Sequence, residues 1–549
     1  MTSVVSGFAA IQYDLRRLSF SALLLAVVPA LRPDTAAAPV SFEDISAASG
    51  IATMLRNSPT PEKHQIETMP GGVAAFDFDG DGLVDLFVAN GARQPALDKP
   101  DPSWWNRLYR NRGNGKFEDV TEKSGLRGAG FSMGAAAADY DNDGHPDLFV
   151  AGVARNFLFR NRGDGTFEDV TARAGIHGEP WSVAAGWFDY DGDGRLDLFV
   201  VNYVEWNPAT EQVCKDPQSG QALHCHPRFY RGLPNTLYHN NGDGTFTDVS
   251  EVAGIRSHVG KGMSVAFADY DGDGRPDIFV TNDTEPNFLF HNDGDGRFTE
   301  AGMRAGVAFN DDGRAVSAMG VDFRDLDNDG RPDVFLTAVV NETYPLYRNL
   351  GKGLFADFTY RSRVGAATAR TTGWANGIFD FNNDGRKDLF AANGDLNDIA
   401  PRESNFVLVQ REDRTFDAVR TGPPARYRGA AFADFDNDGR VDIVVTRLGE
   451  RPVLLRNTSA RANHWLGVKL IGTRGNRDGI GAIVHVKTAA GDQWNHATTA
   501  VGYASSSDVR VHFGLGAATR ATVEVRWPGG TLQRLGEVES DRYLTVREP

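Results

Sequence analysis

The chain has 549 residues, 41% of them apolar, and a formal charge of −16. That is apolar content for sizeable cores in a chain too long for one ordinary globular domain, so a large repeat region with a smaller companion is expected. The acidity argues against a nucleic-acid binder, which needs basic patches against phosphate, and against anionic membranes as partners.

Residues 1–38 read as a signal peptide, with Arg16 and Arg17 ahead of an apolar run from Leu18 to Leu31 and then Ala36, Ala37 and Ala38. At about 14 residues the run is short of the roughly 20 that span a bilayer. A cleaved export signal is therefore expected in preference to a retained anchor. The Arg pair is a weak twin-arginine signal, because Ser19 stands where that motif usually carries Phe. No later stretch is apolar enough to span, so no transmembrane segment is expected in the mature chain, and the location is secreted or periplasmic/cell surface.

Residues 39–459 carry a nine-residue pattern seven times, beginning with DFDGDGLVD at Asp77. Carboxylates stand at positions 1, 3, 5 and 9 with Gly at 6: Asp77, Asp79, Asp81 and Asp85; Asp139, Asp141, Asp143 and Asp147; Asp189, Asp191, Asp193 and Asp197. The series continues with Asp269, Asp271, Asp273 and Asp277; Asp325, Asp327, Asp329 and Asp333; Asp380, Asn382, Asp384 and Asp388; and Asp434, Asp436, Asp438 and Asp442. Oxygens converging on one point, with a glycine for the sharp turn, are what a hard cation such as Ca2+ needs. Solvated turns also favour Asp, Asn and Gly, but they require no carboxylate at four fixed offsets. An EF-hand is excluded by its twelfth position, which needs a bidentate Glu and here holds Val88, Val150, Val200, Val280, Leu336, Ala391 and Val445. Up to seven Ca2+ are expected, with a backbone carbonyl from position 7, such as Leu83 or Arg195, completing each set. Asn382 lowers the charge of the sixth loop and should weaken it.

Around each loop lies a longer unit. A small-residue strand such as GAAAADY at Gly134 precedes it, and an apolar strand such as DLFVAN follows. Next come NRLYRN at Asn106, NFLFRN at Asn156, NTLYHN at Asn235, NFLFHN at Asn287, PLYRN at Pro345, NFVLVQ at Asn405 and PVLLRN at Pro452, then a Gly-rich turn and a strand such as FEDVT at Phe117. Four short strands per unit at this period predict an all-β, seven-bladed β-propeller. SFEDIS at Ser41 matches the FEDVT strand but precedes the first loop, so it is expected to complete the last blade and close the ring. Strand alternation places the Asp loops on one face and the insertions Gly91 to Trp105, Tyr203 to Pro234 and Gly394 to Ser404 on the other, where binding is expected.

These units resemble the FG-GAP or VCBS repeats of the integrin α-subunit propeller, and the resemblance implies Ca2+ in DxDxDGxxD hairpin loops. Residues 460–549 resemble the ASPIC/UnbV domain through NHWLGVKLIG at Asn463, GIGAIVHV at Gly479, HFGLG at His512 and VEVRWPGG at Val523. The order of the two matches the cartilage-acidic-protein family. That implies calcium binding and recognition outside the cytoplasm, and supplies no reaction. Independently, this region reads as a small β-sandwich or barrel, with strands at Trp465 to Ile471, Ile480 to Lys487, Asp508 to Phe513, Ala521 to Trp527 and Tyr543 to Val546. Hairpin turns fall at Ala490–Gly491 and Pro528–Gly530.

Cys214 and Cys225 lie inside the longest insertion, and in an exported chain an isolated local pair is read as a disulfide. His224 and His226 leave a Cys/His metal site as the alternative. Asn90, Asn202, Asn282 and Asn393 either line a polar ligand site near the axis or end their strands. Trp104, Trp105, Trp181, Trp206 and Trp374 either form a recognition surface or pack between blades. Asn282, Asn341 and Asn457 are glycosylation sequons. No GxSxG, HExxH, Walker or dinucleotide motif is present. The expectation is an exported calcium-binding module, not an enzyme, for a protein or carbohydrate outside the cytoplasm. The alternative is a polysaccharide lyase or hydrolase with its site on the insertion face.

Overall fold

The computed structural model describes residues 39–396 and 401–549, so the signal peptide read in residues 1–38 lies outside the described part. Seven four-stranded antiparallel sheets follow one another from Phe42 to Asn457. Their first strands are Val73–Phe76, Ser132–Ala138, Ser182–Phe188, Gly262–Ala268, Val321–Arg324, Gly373–Phe379 and Tyr427–Ala433. Each touches the first strand of the next sheet, and the seventh touches the first, so the sheets are blades around a common axis.

The repeat sequence explains this placement. First strands meet at the crowded hub, where a Cβ on Gly134 would stand 2.3 Å from Val183 O and one on Gly320 would stand 2.4 Å from Trp374 O. Second strands such as Asp85–Val88 are buried at every position, because neighbouring blades cover both faces. Their sequences are accordingly continuous apolar runs without alternation. Phe42–Asp44 supplies the outermost strand of the seventh blade, with Phe42 opposite Asn457 and Asp44 opposite Leu455. The chain's early strand therefore closes the ring.

Residues 464–547 form two facing sheets. Val511–Gly516, His464–Ile471 and Arg542–Arg547 make one, and Gly491–His496, Ile483–Thr488, Arg520–Arg526 and Leu532–Glu539 the other. Val468, Val484, Phe513, Val523 and Trp527 belong to their shared core. The hairpin turns fall where the sequence places them, while Gly491–His496 and Leu532–Glu539 are strands the sequence pattern does not announce.

Between His496 and Val511 the chain leaves this sandwich and enters the hub of the propeller. Ser506 O accepts from Ala75 N at 2.9 Å, Ala504 O from Ala135 N at 3.1 Å, and Gly502 N donates to Val321 O at 2.8 Å. Ser506 Oγ also accepts from Ala137 N at 3.2 Å, and Ser507 Oγ from Phe432 N at 3.2 Å. First strands are edge strands, and this segment pairs backbone groups that would otherwise face the channel. Tyr503 reaches furthest, its hydroxyl donating to Met69 O at 2.9 Å and its ring standing 5.0 Å from that of Trp374.

His496 marks where the plug begins. Its Nε2 donates to Phe267 O at 3.0 Å, and burial pushes its pKa down to about 3. A histidine held below its unfolded value of roughly 6.5 contributes stability that is complete above that pH and is lost as pH falls toward the folded value. Between pH 6.5 and 4 the wild type should therefore lose folding equilibrium constant relative to His496→Gln by up to about tenfold per pH unit. Urea midpoints of the two proteins at several pH values check this, and parallel profiles would contradict it.

Candidate metal centres of the Asp loops

Each Asp loop joins the first and second strands of its blade, and its hydrogen bonds assign separate tasks to its positions. In blade 2, Asp139 Oδ1 accepts from Asp143 N at 3.0 Å and Oδ2 from Gly144 N at 2.7 Å, which folds the loop over its first carboxylate. Asp143 Oδ1 accepts from His145 N at 3.0 Å. The glycine at position 6 has φ between +82° and +95° in all seven loops, the left-handed region that its lack of a Cβ makes accessible.

Position 9 is a framework carboxylate. Asp147 Oδ2 accepts from Tyr140 N at 3.2 Å and Oδ1 from Asn161 N at 2.7 Å, so it ties the loop to the third strand. The same two bonds recur at Asp85, Asp197, Asp277, Asp333, Asp388 and Asp442. The residue whose N–H is used there, Gln410 at Asp388 and Asn in the other six blades, also links blades: Asn161 Nδ2 donates to Phe78 O, and Asn111 Nδ2 to Phe435 O across the point of ring closure, both at 2.8 Å. The sequence reading missed this series, although its signal is present as the last residue of NRLYRN, NFLFRN and NTLYHN.

Position 3 is different. Oδ1 of Asp79, Asp141, Asp327 and Asp436 is buried and has no hydrogen-bond partner, as is Oδ1 of Asp77. Ligand oxygens of Asp77, Asp79 and Asp85, of Asp139, Asp141 and Asp147, and of Asp189, Asp191 and Asp193 lie within 4.8 Å of one another in each group. Unpartnered anionic oxygens gathered at that spacing fit a hard cation, whose ligands stand about 2.3–2.6 Å from it. In the sixth loop Asn382 turns to its neighbour, Oδ1 accepting from Asp384 N at 3.1 Å and Nδ2 donating to Asp384 Oδ2 at 3.2 Å.

Burial raises the pKa of the carboxyls at positions 1 and 9 of these loops, and neighbouring carboxylates add to the rise. Asp85 reaches about 8, Asp139, Asp189, Asp277 and Asp380 about 7, and Asp197 and Asp434 about 6. Arginines offset part of this charge: Arg110 Nε lies 2.6 Å from Asp79 Oδ2, and Arg160 Nε 2.5 Å from Asp141 Oδ2.

The C-terminal sandwich rests on this face. Asp478 Oδ2 accepts from Asp139 N at 2.8 Å, Tyr543 OH donates to Asp434 Oδ2 at 2.7 Å, and Asn463 Nδ2 donates to Asn382 O at 2.9 Å. Beside blades 3 to 5 it leaves a cleft of about 700 Å3, whose lining includes Asp191, Asp269, Arg275, His485, Trp494 and Arg526.

On the opposite face Cys214 and Cys225 are joined as a disulfide. Asn90, Asn202, Asn282 and Asn393 end their strands: each backbone N–H donates to the Oδ1 of the Asn that opens the third strand, and each Nδ2 is held by backbone carbonyls. Trp181, Trp206 and Trp374 are buried, whereas Trp104 and Trp105 are half-buried beneath Arg56, Arg107 and Arg127. Of the three sequons, Asn282 and Asn457 are buried and Asn341 is exposed.

The fold and its loops define a β-propeller of acidic hairpin repeats carrying a C-terminal sandwich. The chain belongs to the FG-GAP-like repeat family, whose model matches residues 77–150, 139–200, 230–280, 269–336, 325–391 and 380–445, and residues 472–549 match the family described as ASPIC and UnbV. It is similar to human cartilage acidic protein 1, 30% identical over 321 residues that cover 55% of this chain and 46% of that protein. The mouse protein is 29% identical over 55% of this chain and 47% of its own length, so the chain spans about half the length of the curated relatives it matches. Among solved structures, an Agrocybe aegerita lectin described as recognising non-reducing terminal N-acetylglucosamine aligns with a TM-score of 0.37 and 18% identity, over 70% of this chain and 87% of its own.

Proposed function

We propose that this protein is an exported, calcium-stabilised binding module for a protein or carbohydrate outside the cytoplasm. The four buried, unpartnered position 3 oxygens of Asp79, Asp141, Asp327 and Asp436 carry the calcium part of this reading, since an anionic oxygen withdrawn from water needs a positive partner. The disulfide supports an oxidising compartment, and among the described residues no helix is long and apolar enough to cross a membrane.

Recognition is assigned to the insertion face. Trp104 and Trp105 with their stacked arginines, and the half-exposed Phe229 beneath Arg228, offer amphipathic contact area there. A convergent set of carboxylate and imidazole on that face, Glu67 with His64, His224 and Glu211, holds the insertion in place. Glu67 Oε1 accepts from Thr60 N at 2.9 Å and His64 N at 3.1 Å, and Glu211 Oε1 from Gln65 N at 3.3 Å and from Tyr230 OH.

A chelator should lower the melting temperature, with recovery in Ca2+ and poor recovery in Mg2+. Each site filled at 100 times its Kd adds about 2.7 kcal/mol, so even partial occupancy of several sites is readable. Melting indifferent to chelator at low salt would reject the structural role of the ion. Glycan-array binding without turnover would support the module, and turnover of a bound polysaccharide would replace it with the enzyme.

A further inference from the structure

The outward face of the larger C-terminal sheet forms one wall of the cleft beside blades 3 to 5. Strand register decides what that wall presents. Val484, Val486, Val523 and Val525 fill the sandwich core, so the residues alternating with them point the other way. Trp494, His485, Glu524 and Arg534 stand opposite one another across the four strands, and Ile483, Arg526 and Leu532 form the next row. The rings of His485 and Trp494 are parallel at 4.5 Å. Trp494 also lies against the loop of blade 5, where a Cβ on Gly330 would stand 3.6 Å from the indole, so this pair is held in place from both domains.

The lining chemistry narrows the ligand. About 700 Å3 is the size of a small-ligand site. Charged groups of both signs face it. Glu524 Oε1 accepts from Arg534 Nε at 2.7 Å, and Arg275 Nε on the propeller side donates to Asn292 O at 2.7 Å. Asp189, Asp269 and Asp325 are turned to backbone N–H groups of their own loops. Among the described residues Arg526 and Asp295, which line the cleft, make no hydrogen bond or ion pair. A ligand of one sign would meet its own charge on one side of this space. Hydroxyl groups both donate and accept, so they match carboxylate and guanidinium alike. Ile483, Pro276 and the exposed Leu532 supply apolar surface between these groups for the C–H faces of a sugar ring. The two central strands of the wall are paired on both sides, so they offer no backbone groups with which a peptide could extend the sheet, and recognition falls to side chains.

We propose that this cleft is a ligand site separate from the insertion face, and that it takes a neutral oligosaccharide, whose hydroxyls bond to Glu524, Asp295, Arg526 and Arg534 while a ring lies against Ile483 and Leu532. The site needs both domains, because one wall comes from the sandwich and the other from blades 3 to 5. It stands independently of the reading of the insertion face as a recognition surface.

The test is a glycan array of neutral and acidic saccharides probed with the full-length protein in Ca2+, followed by calorimetric titration of the neutral oligosaccharide that gives the strongest signal. Arg526→Ala and Glu524→Gln should each raise its Kd by about tenfold or more, because a hydrogen bond to a charged group contributes on that order. Both side chains are at least partly exposed, so melting temperatures should match wild type and separate lost binding from lost folding. Trp105→Ala, on the insertion face, should leave this Kd unchanged, and added salt should change it little. A Kd unaffected by both cleft variants, or lost in Trp105→Ala alone, would overturn the proposal and move the saccharide to the insertion face. Array signal confined to acidic glycans, or absent altogether, would overturn it too while leaving a protein ligand on the insertion face untouched.

Discussion

Tyr503→Ala is expected to destabilise the whole propeller by about 3–5 kcal/mol, the cost of emptying a large aromatic site in a packed core. Tyr503 is fully buried at the hub, 70 residues past the end of the last inner strand at Ala433. The truncation removes its contact with Trp374 and leaves Met69 O without the hydroxyl. Tyr503→Phe, which removes only the hydrogen bond, should cost about 1–3 kcal/mol. A chain ended after Ser459 should fare worse, because Ala75, Ala135 and Val321 would each lose the plug partner of their backbone N–H. Urea denaturation of the two point variants and the solubility of the truncated chain give the measurement. A Tyr503→Ala midpoint within error of wild type would mean that the plug only lies in the channel without supporting the ring.

The propeller was legible because its signal is repeated. Seven acidic loops, the apolar strands after them and the displaced SFEDIS strand all depend on local patterns, and local patterns survive in one dimension. The plug was not legible for a physical reason. Residues 497–508 read ATTAVGYASSSD, with neither helical nor strand alternation, and 497–507 are buried because mostly small side chains let the segment lie against the first strands, with Tyr503 the one large ring among them. The strand Leu532–Glu539 was hidden differently, since it lies at a sheet edge, largely exposed, and has no apolar face to announce it. The tryptophans divide on the same principle. Trp181 and Trp374 sit at the starts of inner strands and are covered by neighbouring blades, while Trp104 and Trp105 lie in an insertion with arginines for neighbours. Within the Asp loops the offsets identified the carboxylates but not their division of labour. That division depends on cross-strand register, which brings Asn111 and Arg110 of the third strand against Asp85 and Asp79.

Two substitutions in the first loop should separate the carboxylate that builds a blade from the one proposed to meet an ion. Asp85→Ala leaves Phe78 N and Asn111 N buried and unpaired, at about 1–3 kcal/mol for each group, and this cost should appear in chelator and in Ca2+ alike. Asp79→Ala removes an oxygen that has no protein partner, together with one of several mutually repelling carboxylates. In chelator it should therefore leave melting unchanged or slightly raised, while in Ca2+ it should lower the bound calcium by one equivalent and reduce the calcium-dependent gain in melting temperature. Arg110 would lose one of its two carboxylates and keep Asp81, so the loop retains a cation at its rim. If Asp79→Ala cost as much in chelator as Asp85→Ala, position 3 would be part of the framework and its unpartnered oxygen would not be a place prepared for a cation. If Asp85→Ala were harmless in chelator, the two backbone bonds at position 9 would not hold the blade together, and the recurrence of that aspartate in seven loops would have to be explained by the ion alone.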